Sequence, residues 1–228
     1  MKFQSSDILF EDNHLIIVNK KCGVLVQGDK TGDTPLLELV KEYIKNKYEK
    51  TGNVFLGLVN RIDRPVSGIV IFARTSKALS RMNDKLKNRQ IKKLYWLFIS
   101  NKFKSKEGKI EGWFKKNKKI NKSFFSKEEI NNSKHGSLKY KIIEKLKKYL
   151  KIEVDLKTGR HHQIRCSFSE IGFPILGDIK YGSKRTNKGG GIYLHSREVN
   201  FIHPISKKEL IIKADPPISG LWSASPFD

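Results

Sequence analysis

Short apolar runs and one helical spacing organise the first hundred residues of the chain. Runs at residues 8–10, 15–18, 24–26, 54–59, 69–73 and 94–100 predict strands. Between them, Leu36, Leu39, Val40, Tyr43 and Ile44 recur at helical spacing. They predict an amphipathic helix over residues 35–48, with Thr34 as N-cap and Pro35 at its first position. Thr75 predicts the cap of a second helix that runs to about residue 87.

Residues 101–135 interrupt this pattern. The stretch KKNKKINKSFFSKEE is rich in Lys and Asn, so we predict a mobile basic insertion, with a poorly packed hairpin as the alternative. Alternation returns over residues 138–156, and Gly172 ends a helix that contains Ile164 and Phe168. Runs at 192–202 and 210–214 predict a closing hairpin. The fold class is therefore α+β, a mixed and mainly antiparallel sheet with flanking helices, in one domain over residues 1–228.

Charge narrows the class of partner. The chain carries 46 Lys and Arg against 23 Asp and Glu, a net charge of +23. Such an excess favours a polyanion, and nucleic acid before membrane, although solvated lysines explain part of it. The two cysteines are far apart and form no CxxC pair, which favours a reducing compartment. The absence of an apolar leader and of any apolar run near 20 residues predicts a soluble, cytoplasmic protein.

One carboxylate stands out in the stretch VNRIDRPVSGIVIFA. Asp63 lies between Arg61 and Arg64, ahead of Pro65 and Gly68, which together predict a rigid turn. A carboxylate in a positive field stays ionised, which suits a nucleophile better than a general acid. The alternative is an aspartate that only caps the turn or pairs with its neighbours.

Two further stretches carry candidate chemistry. TGRHHQIR predicts a Gly loop ahead of a helix that carries His161 and His162 as well as its two arginines and Gln163. Arg160 would lie near the N-terminus of that helix, where anions bind well, and Arg165 about one turn after His162. Tyr95, in IKKLYWLFIS, has a ring that can stack on a base. The alternatives are a basic helix face and an ordinary core tyrosine. The remaining histidines are distant and no carboxylates cluster with them, so we predict no metal site.

These stretches together resemble the RluA-type RNA pseudouridine synthases. VNRIDRPVSGIVIFA is similar to the HRLDRxTSG motif, KKLYWLFIS to the next motif, and TGRHHQIRCSFSEIGFPILGDIKYG to the long TGRxHQIR motif that ends in GDxxYG. The resemblance implies an isomerase that converts uridines of ribosomal RNA or transfer RNA to pseudouridine, with the target base flipped out and no cofactor. It implies that Asp63 is the nucleophile, that Tyr95 lies against the base and that Arg165 pairs with Asp63. The residues it implies for RNA binding are Arg61, Arg64, Arg160, His162 and Gln163.

Some positions depart from the family pattern. Asn60 replaces the usual histidine, and we expect it still to hydrogen-bond. We also expect no S4 RNA-binding domain ahead of the catalytic motifs, so that the basic surface itself holds the RNA. We expect a monomer. The principal alternative function is a non-catalytic RNA-binding or ribosome-assembly protein on the same fold. A nuclease or glycosidase would need clustered acids or two facing carboxylates, and only one acid is well placed.

Overall fold

The computed structural model describes residues 3–29, 31–187 and 190–224. Their strands and helices, in chain order, are β1 (Ile8–Glu11), β2 (Leu15–Lys20), α1 (Leu36–Lys47), β3 (Gly57–Leu58), β4 (Ser67–Ala73), α2 (Ser76–Lys87), β5 (Lys92–Ser100), β6 (Glu107–Asn117), β7 (Lys122–Ser126), β8 (Lys134–Lys145), β9 (Tyr149–Leu156), α3 (Gln163–Glu170), β10 (Leu194–Ile202) and β11 (Glu209–Lys213). The predicted α+β class is confirmed. The chain forms two compact units, residues 1–91 with 196–216, and residues 92–195 with 217–228.

The sheet of the first unit is built around β4. Its strands follow the order β1-β2-β4-β10-β11, and β3 pairs with β4. Every residue of β4 is buried, as expected for a strand whose sequence, SGIVIFA, is apolar on both faces. Helix α2 contributes Ala78 and Met82 to the core beneath this sheet, where they pack with Ile69 and Ile71 of β4. The predicted runs at residues 8–10, 15–18 and 69–73 all fall within strands.

The two helices of this unit begin differently from each other. Thr75 caps α2 as predicted, because its side chain accepts a hydrogen bond from the Ala78 N–H at 3.2 Å. The cap predicted for α1 was wrong by one residue. Pro35 is the N-cap, Leu36 is the first helical residue, and no side chain caps the end. Instead, the N–H groups of Leu36 and Leu37 donate to the carbonyls of Leu25 and Val26.

Two predicted strands of this unit differ from the structure. Residues 24–26 form no strand, since the carbonyls of Leu25 and Val26 accept from the first N–H groups of α1 rather than from a neighbouring strand. Residues 54–59 contribute only the two-residue strand β3. An apolar run predicts burial, and at residues 24–26 burial beside a helix end satisfies it as well as pairing in a sheet does.

The second unit is an antiparallel sheet in the order β5-β9-β8-β6-β7. Buried and half-buried residues alternate along β9, the pattern of a strand with one face on a core. The segment predicted as a basic insertion contains β6 and β7, which form a hairpin, the alternative named for it. Ser123 attaches this hairpin to α3, because its carbonyl accepts from the Cys166 thiol at 3.3 Å and its hydroxyl donates to the His161 carbonyl at 2.7 Å. Mobility of residues 101–135, and a single catalytic domain over 1–228, stay predictions.

Across the described ranges, no helix combines the length with the apolar character that crossing a bilayer would require.

Candidate active site

Asp63 lies in the loop between β3 and β4 of the first unit. It is half-buried, whereas Arg61 and Arg64 on either side are exposed. The Val66 N–H donates to the Asp63 carbonyl at 3.0 Å, which closes a turn around Pro65. The predicted tight turn is therefore present, and it leaves the carboxylate at the edge of the buried strand that follows.

Gly68 fixes the start of β4 behind this turn. Its φ is +110°, a backbone conformation that residues with a Cβ rarely adopt. A Cβ at this position would also collide with the backbone of Ser196 on β10. The glycine in the sequence RPVSG is thus required by close backbone packing as well as by conformation.

Lys20, the last residue of β2, supports the Asp63 turn from inside the unit. It is only 1% exposed, and its Nζ donates to the carbonyls of Lys21, Val24 and Arg64 at 3.1, 2.9 and 3.2 Å. Burial lowers the pKa of Lys20 to about 8, and the nearby Cys22 and Asp63 oppose that shift. Lys20 does not stand out in the sequence, because one lysine among 46 basic residues gives no sign that it is buried.

Arg64 and Asn60 stabilise the surroundings of the turn. The Arg64 Nε donates to the Gly23 carbonyl at 3.0 Å, and its Nη2 pairs with Asp33 at 2.7 Å. Asn60 accepts from the Ile71 N–H at 2.7 Å and donates to the Ile69 carbonyl at 3.4 Å. The expectation that Asn60 hydrogen-bonds in place of the usual histidine is confirmed. RNA binding by Arg61 and Arg64 stays a prediction.

Tyr95 lies on β5 of the second unit, opposite Val154 of β9, and is 7% exposed. Lys93 is two residues earlier on the same face of the strand. Burial lowers the pKa of Lys93, and its Nζ lies 3.6 Å from the position that a Cβ on Gly159 would occupy. This side of β5 therefore carries a phenol ring and a partly desolvated ammonium group near the TGRHHQIR loop.

Gln163 holds that loop together from within. Its Oε1 accepts from the Thr158 hydroxyl at 2.8 Å and from the Arg160 N–H at 2.9 Å, while its Nε2 donates to the Ser137 carbonyl at 3.2 Å. The Arg160 Nε donates to the His135 carbonyl at 2.7 Å. The Gln163 amide is thus committed to shaping the loop. RNA binding by Arg160 and Gln163 stays a prediction.

The two adjacent histidines lie ahead of α3, so their predicted place on the helix was wrong. His162 is the N-cap and adopts a left-handed conformation, with φ 51°. Its ring stacks on the ring of His161 with centroids 3.8 Å apart, and its Nδ1 lies 3.0 Å from the Tyr181 hydroxyl. The turn between them, rather than a helix, decides where both rings point. RNA binding by His162 stays a prediction.

Arg165 is buried on α3 and forms a bidentate pair with Asp178. The Nε–Oδ2 distance is 2.6 Å and the Nη2–Oδ1 distance is 2.8 Å, and the guanidinium carbon lies 5.0 Å from the centroid of the Tyr181 ring. The planar guanidinium is therefore fixed in orientation. Asp178 was not among the predicted site residues, although it is the aspartate of the stretch GDIKYG. A pairing of Arg165 with Asp63, implied by the resemblance, stays a prediction.

The structure thus distributes the predicted site residues over the two units. Arg61, Asp63 and Arg64 belong to the first unit, and Tyr95, Arg160, His162, Gln163 and Arg165 to the second. In the described ranges, no group of three or more His, Cys, Asp or Glu side chains is arranged to hold a metal ion.

Two solved human structures share this fold. The human RNA pseudouridylate synthase domain containing 4 superposes with a TM-score of 0.77, over 93% of this chain and 89% of its own, at 19% identity. The human RNA pseudouridylate synthase domain containing 1 gives a TM-score of 0.74, over 96% of this chain and 87% of its own, at 18% identity. At these identities the likeness concerns the fold.

Sequence comparison supplies the family. Residues 14–170 match the RNA pseudouridylate synthase family, and the chain belongs to it. Ribosomal large subunit pseudouridine synthase C of Vibrio cholerae is 30% identical over 220 residues, which cover 91% of this chain and 64% of that protein. The uncharacterized RNA pseudouridine synthase YhcT of Bacillus subtilis is 29% identical, over 92% of this chain and 69% of its own. This chain thus spans just under two thirds of the Vibrio relative. The predicted resemblance is confirmed.

Proposed function

We propose that the protein is an RNA pseudouridine synthase that isomerises uridines in structured RNA. Its membership of the RNA pseudouridylate synthase family supports this, because the match over residues 14–170 includes Asp63, Tyr95 and Arg165. The observation that carries the proposal is the setting of Asp63. One carboxylate stands in a turn that a buried lysine holds from beneath and that two exposed arginines flank.

The reaction replaces one bond to the ribose by another. The bond from C1′ to N1 of uracil breaks, the ring rotates, and a bond from C1′ to C5 forms. C5 loses its proton and N1 gains one, so atoms and electrons balance without an oxidant or a co-reactant. Asp63 either attacks C1′, attacks the ring, or removes a proton from the sugar. Each route needs an ionised carboxylate.

The other residues prepare the base and the charge. The target uridine must leave its stack, at a cost of a few kcal/mol, which phosphate contacts with basic side chains offset. The Tyr95 ring supports the flipped uracil. Asp178 holds the Arg165 guanidinium in one orientation before substrate binds. The guanidinium then stabilises the negative charge that develops during the reaction.

We assign ribosomal or transfer RNA as the substrate class and the cytoplasm as the compartment. The relative from Vibrio cholerae is named for the large ribosomal subunit, which favours ribosomal RNA. We expect a monomer that uses no cofactor. A carboxylate repels phosphates, so a non-catalytic RNA-binding protein on this fold has no need of one beside them.

The test is the variant Asp63→Asn, with Asp29→Asn as its matched control. Asp29 is an exposed carboxylate in another loop of the same unit. Total RNA from cells that lack the gene is incubated with each purified protein, and pseudouridine is mapped by carbodiimide treatment and primer extension. We expect wild type and Asp29→Asn to modify the same uridine, and Asp63→Asn to form no detectable pseudouridine while it still binds RNA. Equal amounts of pseudouridine from all three proteins would contradict the role of Asp63. If wild type forms no pseudouridine, the proposed function is contradicted.

A further inference from the structure

The second unit contains two cavities of similar size whose charges differ. One, of about 510 Å³, is lined by three lysines and three carboxylates, namely Lys109, Lys139, Lys141, Glu107, Glu153 and Asp155. The other, of about 640 Å³, has Lys102, Lys184 and Arg185 and no carboxylate among the described residues that line it. The lysines of the first have internal counter-charges, as the Lys141–Glu153 pair at 2.9 Å illustrates. The second cavity therefore presents uncompensated positive charge, and we call it the basic cavity.

Aromatic rings form much of the wall of the basic cavity. Tyr149, Phe173 and Tyr193 line it, and all three are half-buried. The Phe173 ring contacts the Phe103 ring, with centroids 4.9 Å apart, and the Tyr193 hydroxyl accepts from the Leu221 N–H at 3.3 Å. These contacts hold the Phe173 and Tyr193 rings in place before any ligand arrives. Fixed rings beside cations form the combination on which bases of single-stranded nucleic acid stack while phosphates are neutralised.

The loop that carries two of the cations is also ordered. The Ser183 hydroxyl accepts from the Gly177 N–H and donates to the Arg185 carbonyl, both at 3.1 Å. Lys184 and Arg185 themselves are exposed. The loop thus presents two charged side chains at the cavity without using them to hold its own shape.

The basic cavity lies away from Tyr95, which belongs to the same unit. Ser100 lines it at the end of β5, five residues beyond Tyr95 on the same strand. At about 3.4 Å per residue the separation along the strand is about 17 Å. A nucleotide in this cavity is therefore a different one from a uracil that lies against Tyr95.

We propose that the basic cavity binds a second, unpaired nucleotide of the RNA strand, with its base against the aromatic wall and its phosphate on Lys184 and Arg185. The inference rests on the proposed function, because it takes the substrate to be RNA. The volume is within the range of about 300–1,000 Å³ that encloses a small ligand, and a nucleotide is of that size. A free nucleotide offers the same chemistry, so the experiment must separate it from a strand.

The test measures how wild type and variants bind a fluorescein-labelled single strand of ten uridylates, by anisotropy over a series of salt concentrations. The variant K184A/R185A removes two exposed cations, and its matched control K139A/K141A removes two from the other cavity. Each phosphate contact in a single strand contributes about 0.7 to the slope of log K against log salt. We expect K184A/R185A to lower that slope by about 1.4 and the control to change it by much less. Equal changes in both double variants overturn the proposal, because they mean that only total charge matters.

The aromatic wall is tested separately by Phe173→Leu. Loss of one base-stacking contact weakens binding by about 5- to 150-fold, with the salt slope unchanged. A separate titration with uridine monophosphate measures whether the cavity binds a free nucleotide. Micromolar binding of that monophosphate, with no effect of K184A/R185A on the oligonucleotide, would reassign the cavity to a free ligand and overturn the strand proposal.

Pseudouridine mapping of wild type separates failure of this inference from failure of the proposed function. If wild type forms pseudouridine but the cavity variants bind as it does, the second site is refuted and the enzyme stands. If wild type forms none while K184A/R185A still loses affinity, the proposed function is refuted and the cavity remains an RNA site.

Discussion

The buried Arg165–Asp178 pair allows a quantitative test of how the guanidinium is held. Both side chains are almost fully buried, at 6% and 1% exposure, and two hydrogen bonds of 2.6 and 2.8 Å join them. The perturbation is Asp178→Asn. The asparagine keeps an acceptor for one bond, but it loses the charge and turns an NH₂ group towards a guanidinium that can only donate.

The expected cost follows from leaving a buried cation without its counter-charge. Removing one partner of such a pair costs about 3–5 kcal/mol in the free energy of unfolding. With a urea m-value of about 3 kcal/mol/M, the unfolding midpoint falls by about 1–1.7 M. The assay is urea unfolding followed by far-UV circular dichroism at pH 7, with wild type and variant measured side by side.

A second ion pair supplies the control. Arg197 pairs with Asp215, whose side chain is 91% exposed, so Asp215→Asn removes the same charge where water can replace it. Exposed pairs contribute about 0–1 kcal/mol, and we expect a midpoint shift below about 0.3 M. Equal shifts for the two variants, or a loss below about 1 kcal/mol for Asp178→Asn, would refute the view that Asp178 is what orients Arg165.

Three further perturbations test the first unit. Gly68→Ala should destabilise it by more than about 2 kcal/mol in thermal unfolding, because the position needs a positive φ and has no room for a Cβ, whereas Gly28→Ala, in open space, should cost nothing. Glu11→Gln should destabilise at pH 7 by about 1.5–3 kcal/mol. Burial alone would raise the Glu11 pKa, but hydrogen bonds from Lys47, Tyr48 and Tyr43 outweigh it and lower that pKa. The difference in free energy of unfolding between wild type and Glu11→Gln should therefore shrink as pH falls below 4.5, and a difference that stays constant contradicts this. Between pH 8 and 10.5 Lys20 is protonated in the unfolded chain but not in the folded one, so its contribution to the free energy of unfolding should rise by about 3 kcal/mol as pH increases across this range. Lys20→Met should lack this rise when both proteins are unfolded in urea.

The sequence predicts local structure best where one signal decides it. Thr75 is a favourable cap directly before a helical pattern, and the structure has that cap. Residues 24–26 form an apolar run like that of a strand, yet they hydrogen-bond to the start of α1 instead of pairing in a sheet. Periodicity reports that a segment is buried, and the partner that buries it is decided by contacts far away in the chain.

In the candidate site, too, residues within sequence motifs are predictable, whereas residues distinguished by their surroundings in the fold are not. Asp63, Tyr95 and Arg165 are found from the family motifs, because those stretches are long and specific. Lys20 and Asp178 escaped notice because what distinguishes them is burial: an ammonium group under three carbonyls and a carboxylate that faces a guanidinium. Neither environment can be read from the sequence, because it depends on how the chain folds: the Lys20 ammonium reaches the carbonyls of Lys21 and Val24 only where the chain turns back on itself, and the third carbonyl comes from Arg64.

Total charge is similarly ambiguous until the groups are placed in space. The second unit carries 26 of the 46 basic residues and 10 of the 23 acidic ones, so it holds most of the net charge of +23. That excess alone does not distinguish a solvated lysine from one that contacts phosphate. The two cavities do, because each has three cations while only one also has three carboxylates. Where carboxylates share the cavity, the positive field is largely cancelled before an RNA approaches. The basic cavity keeps its field, and its fixed rings add what a lysine-rich surface lacks, a reason to bind a base as well as a phosphate.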